Sequence, residues 1–105
     1  MAGVPKFFED FRAAYPQVAE HYGRLGDACR TAGPLDERTC ELVKLAIAIG
    51  AGTEGSAHSH ARRALAAGAT VAQLEHVAVL AITTLGFPRA MTGLAWVRDV
   101  VKAKA

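Results

Sequence analysis

Side chains able to do chemistry are concentrated in one short segment near the middle of the chain, "TEGSAHSH" (residues 53–60). The segment carries two imidazoles, a carboxylate and several hydroxyls between an apolar run and an alanine-rich run. Such a set can serve acid–base catalysis, a metal ion, or only the polar first turn of a helix. The faces on which these residues lie decide between the three uses.

The two histidines of this segment face different directions if it is helical. At about 100° per residue, His58 and His60 lie roughly 200° apart. Two imidazoles placed in this way cannot bind the same ion, so we predict no metal site from the pair. The face of His60 otherwise carries only small residues: Thr53, Ser56, Ala57, Ala64 and Ala67. Small residues allow a helix or ligand to come close, which predicts that His60 projects into a pocket.

A carboxylate occupies an unusual place in the preceding segment. After Glu41 the sequence "LVKLAIAIG" is apolar almost all round, which is typical of a buried helix. Glu41 falls on the face of Leu45 and Ala48, where a carboxylate must be paired, hydrogen-bonded or protonated. The alternative is a partly solvated first-turn glutamate favoured by the helix dipole. For His60 the corresponding alternative is a satisfied core histidine.

The elements that must position these residues are all predicted to be helices. Strand alternation is nowhere sustained, and alanine and leucine dominate the periodic segments. We predict an all-α fold of about six helices in a single domain, residues 1–105. The predicted helices are one short helix after Pro5, then 16–31, 37–49, 53–67, 70–85, and a last helix from Pro88 to the C-terminal lysines. Asp36 is the expected N-cap of the third, and Thr70 with Gln73 forms a capping box for the fifth.

Composition excludes several classes of function. The chain of 105 residues is 51% hydrophobic and 21% charged, which fits a folded domain. Its net charge is only +2, without a basic cluster, so no nucleic-acid partner is expected. The longest apolar stretch is about half a membrane span, and the N-terminus has no signal-peptide core, so a cytoplasmic protein is expected. Cys29 and Cys40 have no metal or redox spacing and are predicted to be buried small hydrophobes.

Two longer stretches resemble a known superfamily. "LDERTCELVKLAIAIGAG" and then "HARRALAAGATVAQLEHVAVLAITTLGFP" are similar to the carboxymuconolactone decarboxylase and alkyl hydroperoxidase D superfamily, from about Leu35 to Ala95. The specific elements are a glutamate in an "EL" pair and, nineteen positions later, a histidine that opens "H-x-x-x-A-L-x-x-G-A". Glu41 and His60 occupy these positions. The resemblance implies an alkyl hydroperoxidase D-like helical bundle.

This sequence departs from the hydroperoxidase branch at one motif. That branch carries a CxxC pair seven and four residues before the histidine, where this chain has Thr53 and Ser56. Thiol–disulfide peroxidase chemistry needs a thiolate that attacks and a second thiol that resolves, and hydroxyls provide neither. Peroxidase activity is therefore not expected from these residues.

The resemblance implies three possible functions. The first is a cofactor-free acid–base enzyme acting on a small carbonyl or lactone substrate, with Glu41, His60 and Ser56 as candidate catalytic residues. The second is a hydroperoxidase-type redox protein that uses Cys40 or a partner's thiol. The third is a non-catalytic oligomeric binding module in which Glu41 and His60 form a structural pair. No cofactor or metal is predicted, and candidate groups for an anionic substrate are Arg62, Arg63 and Arg89.

The resemblance also implies a homo-oligomer, with a trimer or hexamer favoured and sites near subunit contacts. Apolar helices three and five would leave hydrophobic surface to cover, and aromatic anchors are available. These anchors are Phe7, Phe8, Phe11 and Trp96. The other polar candidates are interpreted as solvated residues: His21, Glu54, His58 and His76.

The sharpest expectation concerns geometry. Glu41 and His60 should lie within hydrogen-bond reach, directly or through one water, across the contact of helices three and four. The Ser56 hydroxyl should lie alongside, and His58 should point away.

Overall fold

The computed structural model of the chain describes residues 5–104, and in this range every regular element is an α-helix. None of the helices in this range is long and apolar enough to cross a membrane. The contacts divide the chain into two compact units, one up to Leu35 and one from Asp36 onward. The all-α prediction is confirmed, whereas the single domain stays a prediction.

The first unit consists of two helices, α1 (Lys6–Ala14) and α2 (Pro16–Thr31). Pro16 occupies the first turn of α2, where its missing N–H costs no helical hydrogen bond. Neither helix contains a buried residue. Phe7 is 82% exposed, and the prediction that Cys29 is buried is wrong, because α2 buries no face.

The second unit begins with α3 (Glu37–Ala51), whose two ends are fixed by local chemistry. The Asp36 carboxylate accepts a hydrogen bond of 2.8 Å from the backbone N–H of Thr39, which confirms the predicted N-cap. At the other end Gly52 adopts a φ of 74°, and the N–H of Thr53 bonds to Ala48 O at 3.1 Å. This left-handed glycine turns the chain sharply into the next helix.

The remaining helices are α4 (Glu54–Ala66), α5 (Val71–Leu80), α6 (Ile82–Leu85) and α7 (Phe87–Lys104). Gly68, with a φ of 98°, ends α4, as the sequence predicts. The Thr70–Gln73 capping box is present at the start of α5. The predicted fifth helix is interrupted at Ala81, where the backbone bonds to the residue three positions back. The β-branched run Ile82–Thr84 that follows weakens helix propensity at this point.

The core of the second unit lies between α3, α4, α5 and α7. Helix α4 contributes only alanines to it, Ala57, Ala61 and Ala64, so α3 and α7 can approach closely. Gly93 of α7 serves the same purpose, because a Cβ at this position would lie 2.7 Å from Ile49 Cγ2. These small residues therefore determine how closely α3, α4 and α7 pack against one another.

Helix α3 is buried on one side only, which differs from the expectation of a helix buried all round. Glu41, Leu45, Ala48 and Ile49 are buried, whereas Val43 and Ile47 are 42% and 63% exposed. The physical reason is that α4, α5 and α7 all pack against the same side of α3. The N-terminal residues 1–4, on which the expectation of no signal peptide partly rests, and residue 105 at the end of the predicted last helix lie outside the described residues.

Candidate functional site

Glu41 is the only charged side chain that is buried among the described residues, with 1% of its surface exposed. It lies in the second turn of α3, on the face that also carries Leu45 and Ala48. Removing a carboxylate from water costs several kcal/mol unless a partner compensates for the loss. The burial of Glu41 therefore calls for a specific partner.

That partner is His60 of α4. Its Nδ1 lies 2.9 Å from Oε1 of Glu41, across the packed contact of α3 and α4. The imidazole is 15% exposed and the carboxylate 2%, so the histidine stands between the buried acid and the surface. The predicted pairing of these two residues is present as a direct hydrogen bond.

The contact defines how His60 can exchange a proton. With Glu41 ionised, its carboxylate can only accept, so that Nδ1 of the imidazole carries the hydrogen of this bond. In the neutral ring the lone pair then belongs to Nε2, the nitrogen away from Glu41. A carboxylate that fixes the tautomer and orientation of an imidazole in this way prepares the second nitrogen for acid–base work.

The hydroxyls of the quoted segment occupy more peripheral positions. Ser56 is exposed and lies one helical turn before His60; within residues 5–104 it makes no hydrogen bond to Glu41 or His60. Thr53, the N-cap residue of α4, donates its hydroxyl to Ala48 O at 3.3 Å rather than to the first turn of α4. Thr53 therefore ties the α3–α4 turn together, while the role of Ser56 stays a prediction.

His58 belongs to a different surface. Its Nε2 lies 3.1 Å from Oδ2 of Asp99 on α7, so the ring is directed to the α4–α7 contact and not to Glu41. Glu54, one turn earlier on α4, belongs to the same group, because one of its carboxylate oxygens lies within 4.8 Å of a ring nitrogen of His58 and a carboxylate oxygen of Asp99. Sequence reasoning missed this group because Asp99 is 41 residues away from His58, and only the i, i+4 spacing of Glu54 and His58 was visible.

The three candidate arginines are not gathered around His60. The Arg89 guanidinium lies at Gly52, at the opposite end of α3 from Glu41. Eleven residues of helix separate Glu41 from Gly52, which corresponds to about 16 Å. Arg62 lies roughly 200° around α4 from His60, whereas Arg63 is exposed and, three residues after His60, lies beside it on the helix surface. Cys29 lies in the first unit and Cys40 at the start of α3, and both are free thiols.

Comparison with known proteins agrees with this architecture. The sequence profile of the carboxymuconolactone decarboxylase family matches residues 16–99, most of the chain. The chain therefore belongs to the carboxymuconolactone decarboxylase family. No curated protein matches it.

A solved structure is similar in fold. It is the crystal structure of apo-lpg0406, a carboxymuconolactone decarboxylase family protein from Legionella pneumophila. The TM-score is 0.80 at 22% sequence identity, over 95% of this chain and 89% of the other. At this identity the likeness establishes the fold alone.

Proposed function

We propose that the protein is a cofactor-free acid–base enzyme that acts on a small carbonyl or lactone compound. His60 transfers the proton, and Glu41 positions His60 and balances its charge. The observation that carries this proposal is the 2.9 Å bond between the buried Glu41 carboxylate and His60 Nδ1. Family membership supports a small-molecule substrate but leaves the reaction open.

Burying the Glu41 carboxylate costs free energy of desolvation. A well-packed apolar pair at the same place is often as stable as a buried ion pair, or more stable. Stability alone therefore gives a weak reason for a glutamate at this position. An imidazole that must gain and lose a proton gives a stronger one, because the adjacent carboxylate holds the ring in one orientation and stabilises its cation.

The proposed proton transfer can be written for a decarboxylation. The bond between the α-carbon and the carboxylate breaks, carbon dioxide leaves, and the electron pair stays on the carbon next to the carbonyl. Protonated His60 donates from Nε2 to this carbon; water then returns a proton to Nε2, and the hydroxide left behind combines with the carbon dioxide as bicarbonate. Atoms and charge balance without an oxidant or a metal, and such proton transfer contributes typically about 10²–10⁴-fold to a rate.

The charges around the pair restrict the substrate. Arg89 lies about 16 Å along α3 from Glu41 by helical rise, which leaves the exposed Arg63, three residues after His60, as a single nearby candidate cation. A substrate with two carboxylates would need cations near His60 to offset its charge beside Glu41. We therefore propose a neutral or singly charged carbonyl compound. The hydroxyl of Ser56, one turn before His60, is the proposed hydrogen-bond donor to the carbonyl oxygen of this substrate.

The test compares two matched histidine variants on a panel of small β-keto acids and lactones. His60→Gln should reduce turnover by about 10²–10⁴-fold, while His76→Gln, at an exposed position on α5, should leave it unchanged. Circular dichroism establishes whether both variants are helical. Turnover that survives in folded His60→Gln would overturn the proposal. No turnover of any compound by the parent chain, together with loss of the fold in His60→Gln, would favour the non-catalytic binding module.

The positioning role of Glu41 can be tested separately, by measuring which ring nitrogen of His60 carries the hydrogen. Nitrogen-15 spectra of the imidazoles should show His60 with its hydrogen on Nδ1, and Glu41→Gln should redistribute it towards Nε2. Glu41→Gln should also lower kcat with little change in KM, because it removes charge from a residue that does not touch substrate. An unchanged tautomer would contradict the positioning role. Peroxide consumption lost on Cys40→Ser would instead support the redox alternative.

A further inference from the structure

A second group of ionisable side chains lies outside the Glu41–His60 pair, at the contact of α4 and α7. It consists of Glu54, His58 and Asp99, and one donor atom from each lies within 4.8 Å of the other two. His58 is 26% exposed and Asp99 59%. The group thus combines one nitrogen donor and two oxygen donors at the edge of the second unit.

We propose that Glu54, His58 and Asp99 bind a divalent transition-metal ion of the Zn²⁺ type. Imidazole with carboxylates is a donor set that zinc and its neighbours accept, whereas Ca²⁺ and Mg²⁺ prefer oxygen alone. Two carboxylates also neutralise the charge of a divalent ion. Three protein donors leave a further position for water, as in open zinc sites.

The distance between His58 and Asp99 fits two ligands of one ion. Their Nε2 and Oδ2 atoms are 3.1 Å apart. With metal–ligand bonds of about 2.1 Å, this separation corresponds to an angle of about 95° at the metal. The ion would take the place of the proton that the two groups share. Only Glu54 has to move nearer, which its exposed side chain can do by rotation.

The helices hold this donor set together. Glu54 and His58 are four residues apart on α4, so they lie on the same face one turn apart. Asp99 comes from α7, which packs against α4 in the core of the second unit. A bound ion would therefore clamp α4 to α7 and stabilise the folded state by its affinity for that state.

The experiment is calorimetric titration of the tag-free full chain with ZnCl₂, together with the shift in melting temperature. We expect one ion per chain and a rise in melting temperature. With Co²⁺ in place of zinc, visible absorption should report one nitrogen-containing, oxygen-rich site.

Matched variants make the result decisive. His58→Gln, Glu54→Gln and Asp99→Asn should each weaken binding by about tenfold or more. His76→Gln and Glu9→Gln, which change the same residue types at exposed positions elsewhere, should bind as the parent does. Unchanged affinity in His58→Gln, or no binding at about 1 mM zinc, would overturn the proposal. This outcome is independent of turnover at His60.

Discussion

Helix α4 carries two histidines two residues apart, and each meets a carboxylate from a different helix. His60 lies 2.9 Å from Glu41 of α3, and His58 lies 3.1 Å from Asp99 of α7. The two contacts are nearly equal in length but differ in burial, because the Glu41 side chain is 2% exposed and the Asp99 side chain 59%. They also use opposite ring nitrogens, Nδ1 in His60 and Nε2 in His58.

The comparison shows that distance alone does not rank such contacts. Between exposed groups, water and ions screen the attraction and each partner stays solvated when the other is removed. Between buried groups, the attraction is stronger and a lone partner is left with an uncompensated desolvation cost. The Glu41–His60 pair should therefore govern stability and chemistry, while the His58–Asp99 contact is open to solvent and to ions.

The largest expected effect on stability follows removal of the buried carboxylate. Glu41→Ala should lower the free energy of unfolding by about 3 kcal/mol, since it breaks a buried pair and leaves a cavity. Asp99→Ala, measured without added metal, should cost less than about 1 kcal/mol. Urea denaturation of both variants measures the difference. Equal losses would remove the distinction between the two pairs.

Double-mutant cycles should give the next largest difference. The cycle of Glu41→Gln with His60→Gln is expected to yield a coupling energy of about 1–3 kcal/mol, as for residues in one buried network. The cycle of Asp99→Asn with His58→Gln should yield about 0.5 kcal/mol. Both are read from denaturation curves in the presence of a chelator. A larger coupling energy for His58 and Asp99 than for Glu41 and His60 would contradict the conclusion that the buried pair is the stronger one.

A third carboxylate, Asp36, provides an exposed reference with a defined pH dependence. The hydrogen bonds that it accepts from Thr39 hold the pKa of its carboxyl below the usual range. A depressed pKa in the folded state means that this stabilisation is present above the pKa of the unfolded chain, about 3.9. It is lost as the pH falls through the folded pKa.

Asp36→Ala should accordingly lower the melting temperature by a few degrees at pH 7, because the N-cap of α3 is lost. The deficit should shrink as the pH falls below about 4. Asp36→Asn, which keeps a capping oxygen, serves as the control and should lose less at pH 7. A deficit that stays constant down to pH 2 would contradict the assigned charge contribution.

The smallest expected effect is that of salt. At about 1 M ionic strength the screening length is about 3 Å, close to the 3.1 Å between His58 Nε2 and Asp99 Oδ2, so their coupling energy should fall to about a third. The coupling between Glu41 and His60 should persist, since water and ions do not reach the carboxylate. The measurement is to determine both coupling energies again, by the same double-mutant cycles, at a high concentration of sodium chloride. Loss of both coupling energies would show that the Glu41–His60 pair is solvated.

The sequence by itself determined most of the helices and several of their ends. Helix ends depend on contacts and backbone conformations within a few residues, so a local sequence pattern is enough to predict them. Examples are the caps at Asp36 and at Thr70 with Gln73, and the left-handed Gly68. The family resemblance, through the nineteen-residue spacing of Glu41 and His60, also indicated that these two residues form a pair. The break at Ala81 was missed because β-branched residues only weaken a helix, and the surrounding fold decides whether it is interrupted.

Only the tertiary structure decided what depends on residues distant in sequence. The side of α3 that is buried follows from where α4, α5 and α7 pack, which the sequence after Glu41, apolar almost all round, does not reveal. The distance of Arg89 from Glu41 follows from its docking at Gly52. The meeting of Asp99 with His58 depends on how α7 packs against α4, because helical periodicity fixes the direction of a side chain but not the neighbour that it meets.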